Sequence, residues 1–303
     1  MNAPVRMLPT DIQLANEYRY NRKHIDGYLK RELLEHPGNA AKLAMGVELI
    51  NEWRSQEYYP RKAAQLAQLE LLDMEELILQ IFLQCGYCQK EELMTSVCAQ
   101  LAGRLRFSDK PEALTTIAGM LAVLCQTDAF DINKASREAS LMLVSNLHFS
   151  EEVRGFIYNA TFLPPMVCVP ELVTNNHQSG YLTHNDSLIL GKGNHHDGDV
   201  CLDVINLQNQ IPLSLSLDFL LACEMEPKEV LTTGEQLEQW HQFKTQANDL
   251  MILMINQGNR MHLTHKVDCR GRLYSVGYHI NTQGTAFQKA AIELADEELV
   301  EGV

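Results

Sequence analysis

Long apolar runs are missing from this 303-residue chain. The longest, such as Leu213 to Cys223, are too short and too interrupted to span a bilayer, so no membrane partner is expected. The start, Met1 to Thr10, lacks the apolar stretch of a secretory signal, which predicts a chain that stays in the cytoplasm where it is made. Positive charge is also scarce: 25 Lys and Arg stand against 39 Asp and Glu, a formal charge of −14. That balance argues against a protein coating nucleic acid over its whole surface, but leaves room for a local site. A disulfide framework is absent too, since the eight cysteines fall singly within apolar stretches, as reduced core thiols do. Internal repeats and low-complexity segments do not occur. What remains, with 46% hydrophobic and 21% charged residues, is an ordinary soluble globular composition, long enough for two domains or one large one.

The first half reads as helical. Periodic apolar positions predict helices over Asn39–Gln56, Arg61–Leu83, Glu91–Leu105 and Glu112–Gln126, the last announced by Ser108, Asp109 and Pro111. Asp131–His148 is a further candidate, and Ser150-Glu151-Glu152 opens a short helix through Tyr158. The texture changes at Leu163-Pro164-Pro165, where paired prolines forbid helix, and Val167–Val169 favours strand. A domain boundary is therefore expected near residue 162, giving a helical domain over 1–162 and a second over 163–303. Asn175–Asp203 reads as irregular loop, Asp203–Gln210 and Ser214–Glu224 as helices or packed connectors, and Glu235–Asn256 as a clear helix ended by Gly258. Leu273–Ile280 alternates like a strand, and Thr285–Glu298 returns to helix before an acidic tail. The fold class expected is mainly α with minor β, that is, α+β.

Residues 258–290 concentrate positive charge. Arg260, Lys266, Arg270, Arg272 and Lys289 face a single acid, Asp268, for a local charge of +4, and His262, His265 and His279 add donors. A phosphate-contacting site needs such a concentration. Gly271 and Gly284 allow close backbone approach, while Tyr274 and Tyr278 offer flat faces for bases or sugars. On physics alone a solvated strand with scattered charges explains the segment about as well.

The wording of the segment adds to this. Asp268-Cys269-Arg270-Gly271-Arg272-Leu273-Tyr274, followed by Thr282-Gln283-Gly284 and Lys289, resembles the D-x-x-G-R motif of the single-subunit bacteriophage and mitochondrial RNA polymerases. In that family an aromatic usually stands where Cys269 is, and a proline where Thr282 is. The resemblance implies that Arg270, Gly271, Arg272, Tyr274, Gln283, Gly284 and Lys289 contact the template strand and the RNA–DNA hybrid. It implies that Asp268 orients an arginine by a charge-assisted pair rather than binding metal. Upstream, Leu163-Pro164-Pro165-Met166-Val167 with Ser179-Gly180-Tyr181-Leu182, and Asp203–Leu215 with Asn206, Gln208, Asn209 and Ile211-Pro212, resemble the segments around the family's thumb in order and spacing. The second domain would then hold a proline-rich platform, a reduced thumb and the start of a polymerase palm.

In the family, the two metal-binding aspartates and the fingers lysine and tyrosine all follow this motif, and no Lys-x-x-x-Met-Thr-x-x-Tyr-Gly-like element occurs here. His184-Asn185-Asp186 is similar to the family's His-Asp motif only superficially: it precedes the D-x-x-G-R motif and carries an inserted Asn. The resemblance thus implies the small, amino-terminal subunit of a heterodimeric phage DNA-directed RNA polymerase, acting in the cytoplasm of the infected bacterial host. The acidic Ala295–Val303 is expected to be its true end. A larger catalytic partner subunit would supply the aspartates, the fingers and the Mg2+ bound by them. This chain would hold neither catalytic residue nor metal and would be inactive alone. DNA template and RNA transcript are further expected partners, with a single-stranded-DNA-binding helper to melt duplex. The alternative is a non-catalytic nucleic-acid-binding transcription regulator derived from the polymerase fold.

Other signals are weaker. Tyr18–Arg31 holds Arg19, Arg22, Lys23, Lys30 and Arg31 against Asp26, interleaved with tyrosines, and reads either as a second nucleic-acid contact or as the basic face of an ordinary helix. Cys85-Gly86-Tyr87-Cys88 has C-x-x-C spacing but no second pair, so core cysteines are the better reading. His195-His196-Asp197-Gly198-Asp199 reads as a solvated loop rather than a cation site, and Gly191-Lys192-Gly193 lacks the rest of a phosphate-binding loop.

Overall fold

The computed structural model describes residues 7–56, 60–70, 72–105, 109–134, 140–160, 162–191 and 194–296. Contacts divide the chain into two units, one of Met1–Asn21 with Asn159–Val303 and the other of Arg22–Tyr158. The boundary expected at 162 falls at 159. The first helix, α1 (Pro9–Tyr20), groups with the later unit rather than with the helices that follow it.

Arg22–Tyr158 is a helical layer with one small sheet. Its helices are α2 (Arg22–Glu35), α3 (Pro37–Ser55), α4 (Pro60–Leu69), α5 (Met74–Gly86), α6 (Met94–Leu105), α7 (Lys110–Leu124) and α8 (Glu151–Asn159). The centre is α5, buried over most of its surface against α2, α3 and α6, with Glu75 and Glu76 exposed in its first turn. Phe82, Ile78 and Ile81 are fully buried there, each contributing about 1.5–3 kcal/mol of apolar transfer. The helix expected over Arg61–Leu83 is two helices, because the Asp73 carboxylate accepts from the N–H groups of Glu75 and Glu76 and starts α5 afresh. In α7 the cap is Asp109, with Pro111 in the first turn; Ser108 lies outside the described residues.

Asp131–His148, expected to be helical, forms strands instead. β1 (Glu92–Leu93), β2 (Phe130–Lys134) and β3 (Leu141–Ser145) make an antiparallel sheet in the order β1-β3-β2, with Ile132 opposite Leu143. The Leu- and Met-rich run has helix propensity, but its backbone is taken up on both edges, by β2 over five residues and by β1 over two, with Leu143 at the buried centre.

The other unit winds an irregular stretch around short elements: α9 (Leu202–Asn209), β4 (Leu213–Leu215), α10 (Leu217–Ala222), α11 (Gly234–Asn256), β5 (His265–Val267), β6 (Leu273–Ser275), α12 (Ala286–Ala290) and β7 (Ile292–Leu294). The core lies along α11, where Ala247, Leu250, Met251 and Met254 pack with Val167, Leu215, Met261 and Ile280. A second cluster joins Val173, Leu188, Ile189, Ile205 and Val267. The expected strand over Leu273–Ile280 stops at Ser275, and the helix expected over Thr285–Glu298 stops at Ala290, where the chain turns into β7 to pair with β4. The tail beyond Asp296 lies outside the described residues. Across the chain the class is α+β, with three small antiparallel sheets among the described residues. No helix of the described residues is long and apolar enough to cross a membrane.

α1 docks through a polar stripe. Gln13, Asn16 and Glu17 are buried, and Glu17 is fully so. The Glu17 carboxylate accepts from Gln13 Nε2 at 2.8 Å, Leu182 N at 3.0 Å, Thr183 N at 2.8 Å and Thr183 Oγ1 at 2.6 Å. Asn16 and Gln257 exchange amide hydrogen bonds, both at 2.9 Å. Burial works to raise the Glu17 pKa, but hydrogen bonding from His184, Gln13, Thr183 and Leu182 outweighs it and holds the group at about 2.

Candidate nucleic-acid interface

The D-x-x-G-R segment is the turn of a hairpin. β5 and β6 pair antiparallel with Lys266 opposite Tyr274 and Val267 opposite Leu273. Gly271 N donates to Asp268 O at 2.9 Å and Asp268 N to Arg272 O at 3.0 Å, a type I turn closed by a bulge at Gly271. Gly271 has φ +75°, a conformation open to glycine and costly to residues with a Cβ.

One carboxylate organises the turn. Asp268 Oδ1 accepts from Arg270 N at 2.9 Å and Arg272 N at 3.0 Å. Asp268 Oδ2 accepts from Arg272 Nε at 2.8 Å and Nη2 at 2.7 Å, from Arg270 Nε at 3.3 Å and Nη2 at 3.2 Å, and from Tyr274 Oη at 3.3 Å. Desolvation pushes this carboxyl up, but the backbone and side-chain bonds from Arg272, its charge and Tyr274 pull it below the usual range. The bond from Asp268, with Tyr274 adding, raises Arg272 in turn. The Asp268 side chain is 14% exposed, while Arg270 and Arg272 are 66% and 52% exposed. The acid is thus turned inward and both guanidinium groups outward, with Arg272 lying 5.6 Å from the centre of the Tyr274 ring. Strand alternation puts Lys266, Asp268, Arg272 and Tyr274 on one face of the hairpin; Val267 and Leu273 face the apolar cluster on the other.

Gln283 extends this scaffold. Its Oε1 accepts from Ser275 N at 3.1 Å and its Nε2 donates to Leu273 O at 3.0 Å, so the side chain acts as a short third strand. Its two polar ends are therefore committed to the scaffold. Asn281 braces the loop, donating to Gly277 O at 2.6 Å and accepting from Gln283 N at 2.7 Å. Behind Gly284, Thr285 and Gln288 form a capping box that starts α12, and Gln288 also donates to the carbonyls of Tyr278 and His279. A side chain at Gly284 would run into Gln288. Lys289 is exposed on the last turn of α12. A Cβ at Gly277 would collide with the backbone oxygen of Ile280. Gly277→Ala should therefore destabilise this unit by about 1–3 kcal/mol in urea unfolding; a change within error would mean the loop relaxes freely.

Folding alters several expectations. The +4 counted along 258–290 is reduced in space, because Asp186 pairs with Lys266 at 2.6 Å and Asp296 grips Arg260 at 2.6 and 2.9 Å. Asp186, set aside as part of an apparent His-Asp motif, is thus a member of the hairpin's charge network. The three histidines do not supply surface donors: His262, His265 and His279 are buried. Burial lowers all three pKa values, that of His279 to about 4, so all stay neutral at pH 7. Tyr278 does not offer both faces, since one stacks on Phe162 at 3.8 Å.

The basic stretch near the start is broken at Asn21. Arg19 lies on α1 and Arg22, Lys23, Lys30 and Arg31 on α2, in different units. Arg22 turns to Gln84 at 2.7 Å and to the Tyr87 ring at 4.0 Å, and Lys30 to Glu76 at 3.4 Å, while Arg19, Lys23 and Arg31 are exposed. Asn21 leaves the helical region with ψ 119°, which no charge count registers. Cys85 and Cys88 are buried free thiols, and His177 and Asp197 pair at 2.6 Å in an exposed loop. Lys192 and Gly193 lie outside the described residues. Among the described residues, no three His, Cys, Asp or Glu side chains are grouped to hold a metal ion. Set against models of protein families the chain matches none, and no curated protein matches it either.

Proposed function

We propose that this chain is the small subunit of a two-subunit, phage-type DNA-directed RNA polymerase, working in the cytoplasm of an infected bacterium. The hairpin Asp268–Tyr274 carries the reading: two outward guanidinium groups, fixed from behind by one carboxylate and flanked by a tyrosine, suit a sugar-phosphate backbone. The motif wording, D-x-x-G-R followed by Gln283, Gly284 and Lys289, supports a template and RNA–DNA hybrid contact over a general anion site. The unit of Met1–Asn21 and Asn159–Val303 then stands for platform, reduced thumb and partial palm. The oxygens of Asp268 are filled by N–H and O–H donors, which leaves them unfit for a metal. No step on this chain runs through Mg2+, which the reading assigns to the aspartates of the larger subunit. What Arg270 and Arg272 do is hold the template path; nucleotide addition belongs to the partner.

Co-purification with the product of a neighbouring frame that bears the two aspartates and the fingers lysine tests the reading. A stable heterodimer that transcribes single-stranded DNA, with neither chain active alone, is the expected result. RNA synthesis by this chain alone would overturn it. If the chain instead binds DNA but joins no catalytic partner, the regulator reading takes its place.

A further inference from the structure

β7 offers an edge that is finished on one side only. β4 and β7 pair antiparallel, Leu213 opposite Leu294, Ser214 opposite Glu293 and Leu215 opposite Ile292. The backbone of Leu213 is bonded on its other side to Met261, with both N–O distances 2.8 Å, and that of Leu215 to the Asn259 side-chain amide at 3.0 and 2.9 Å. Since neither residue spends its N–H or C=O on β7, the ladder between the strands runs through Ser214 and Glu293, with Ser216 N to Ala291 O and Ala295 N to Pro212 O, both 3.0 Å, closing its ends. It follows that Ile292 and Leu294 both turn N–H and C=O away from β4. Among the described residues nothing pairs with these four groups.

An unpaired row of this kind specifies its complement, an extended peptide. Protective devices are sparse here: the strand is short, but it carries no proline, lysine or bulge, and Leu294 is 62% exposed on the face it shares with Ile292. A second copy fits badly. The register that uses both Ile292 and Leu294 sets Glu293 directly across from its own equivalent, at the closest type of cross-strand pair. The sequence that follows, with Glu297, Glu298 and Glu301, adds more negative charge. The edge therefore suits a strand with a Lys or Arg opposite Glu293 and apolar residues alongside to cover Leu294.

We propose that the larger subunit supplies this strand, so that the two chains share one sheet through the outer edge of β7. The inference rests on the two-subunit reading above, and its test separates the two. In the co-purified heterodimer, residue-resolved hydrogen exchange should show the amides of Ile292 and Leu294 slowed at least tenfold relative to the free chain. Leu294→Pro removes one outward donor while sparing the ladder to β4, and Glu293 before it is already extended, as a residue preceding proline should be. It should weaken heterodimer affinity by at least about tenfold, roughly the effect of one interchain hydrogen bond. Glu293→Lys should weaken it too. If the heterodimer forms and transcribes with both amides exchanging as in the free chain, the shared sheet is wrong and the subunit reading stands. If no heterodimer forms, both fall. Protection of these amides in a homodimer of the free chain would overturn the assignment in favour of a second copy.

Discussion

Arg272→Ala in the assembled enzyme should lower RNA synthesis on the order of 100-fold, the loss expected when a reacting strand is displaced by about 1 Å, while heterodimer yield stays unchanged. The side chain is half exposed, and the Arg272 N–H that bonds Asp268 is kept in the variant, so the turn should hold its shape. Asp268→Asn distinguishes positioning from simple attraction. The amide oxygen can still accept the turn's N–H groups, but the charge that pins both guanidinium groups is gone. Single-stranded DNA should bind at least as tightly as to the wild type and with steeper salt dependence, because one more cation is released to phosphate. RNA synthesis should nevertheless fall, since the arginines no longer point one way. If Arg272→Ala transcribes normally, the template role of this hairpin is wrong; if binding and synthesis fall together in Asp268→Asn, the carboxylate is structural rather than orienting.

Glu17→Ala should cost about 3 kcal/mol of unfolding free energy at neutral pH, read from urea denaturation, because Leu182 N, Thr183 N and Thr183 Oγ1 lose their acceptor in a buried place. The carboxylate, held at about 2 against an ordinary 4.5, gives an independent figure of similar size. A depressed carboxyl contributes fully above its unfolded value, and that contribution drains away as pH falls from about 4.5 towards 2. The wild type should therefore lose stability over this window and the alanine variant should lose less, so the two curves converge in acid. Parallel curves would mean that Glu17 is not what fastens α1.

Legibility from sequence followed the range of the interaction. Asp109 with Pro111, the amphipathic pattern of α11 and the glycine after it are local signals, and the helices they announce are present. The hairpin turn rests on equally local bonds, Asp268 and Gly271 acting within five residues, yet only a strand over Leu273–Ile280 was expected there and no turn. Leu141–Val144 failed because a short apolar run fits either period, and its pairing with β2 decided the matter. The partners of Lys266 and Arg260 escaped because Asp186 and Asp296 lie 80 and 36 residues away. Glu17 gave no signal either. A polar stripe on a helix reads as a solvent face until the backbone N–H groups that fill it come from another part of the chain.

The placement of α1 also sets an order of events during synthesis. Glu17 leaves the ribosome 166 residues before Thr183, the hydroxyl and amide it will bind. At about 5–20 residues per second, that is a wait on the order of 10–30 s. Arg22–Tyr158 is contiguous and can complete its core during this interval. Helix α1 is thus made before the whole of Arg22–Tyr158 yet finds its place after it, which makes it a point at which a chaperone or a premature stop would be felt.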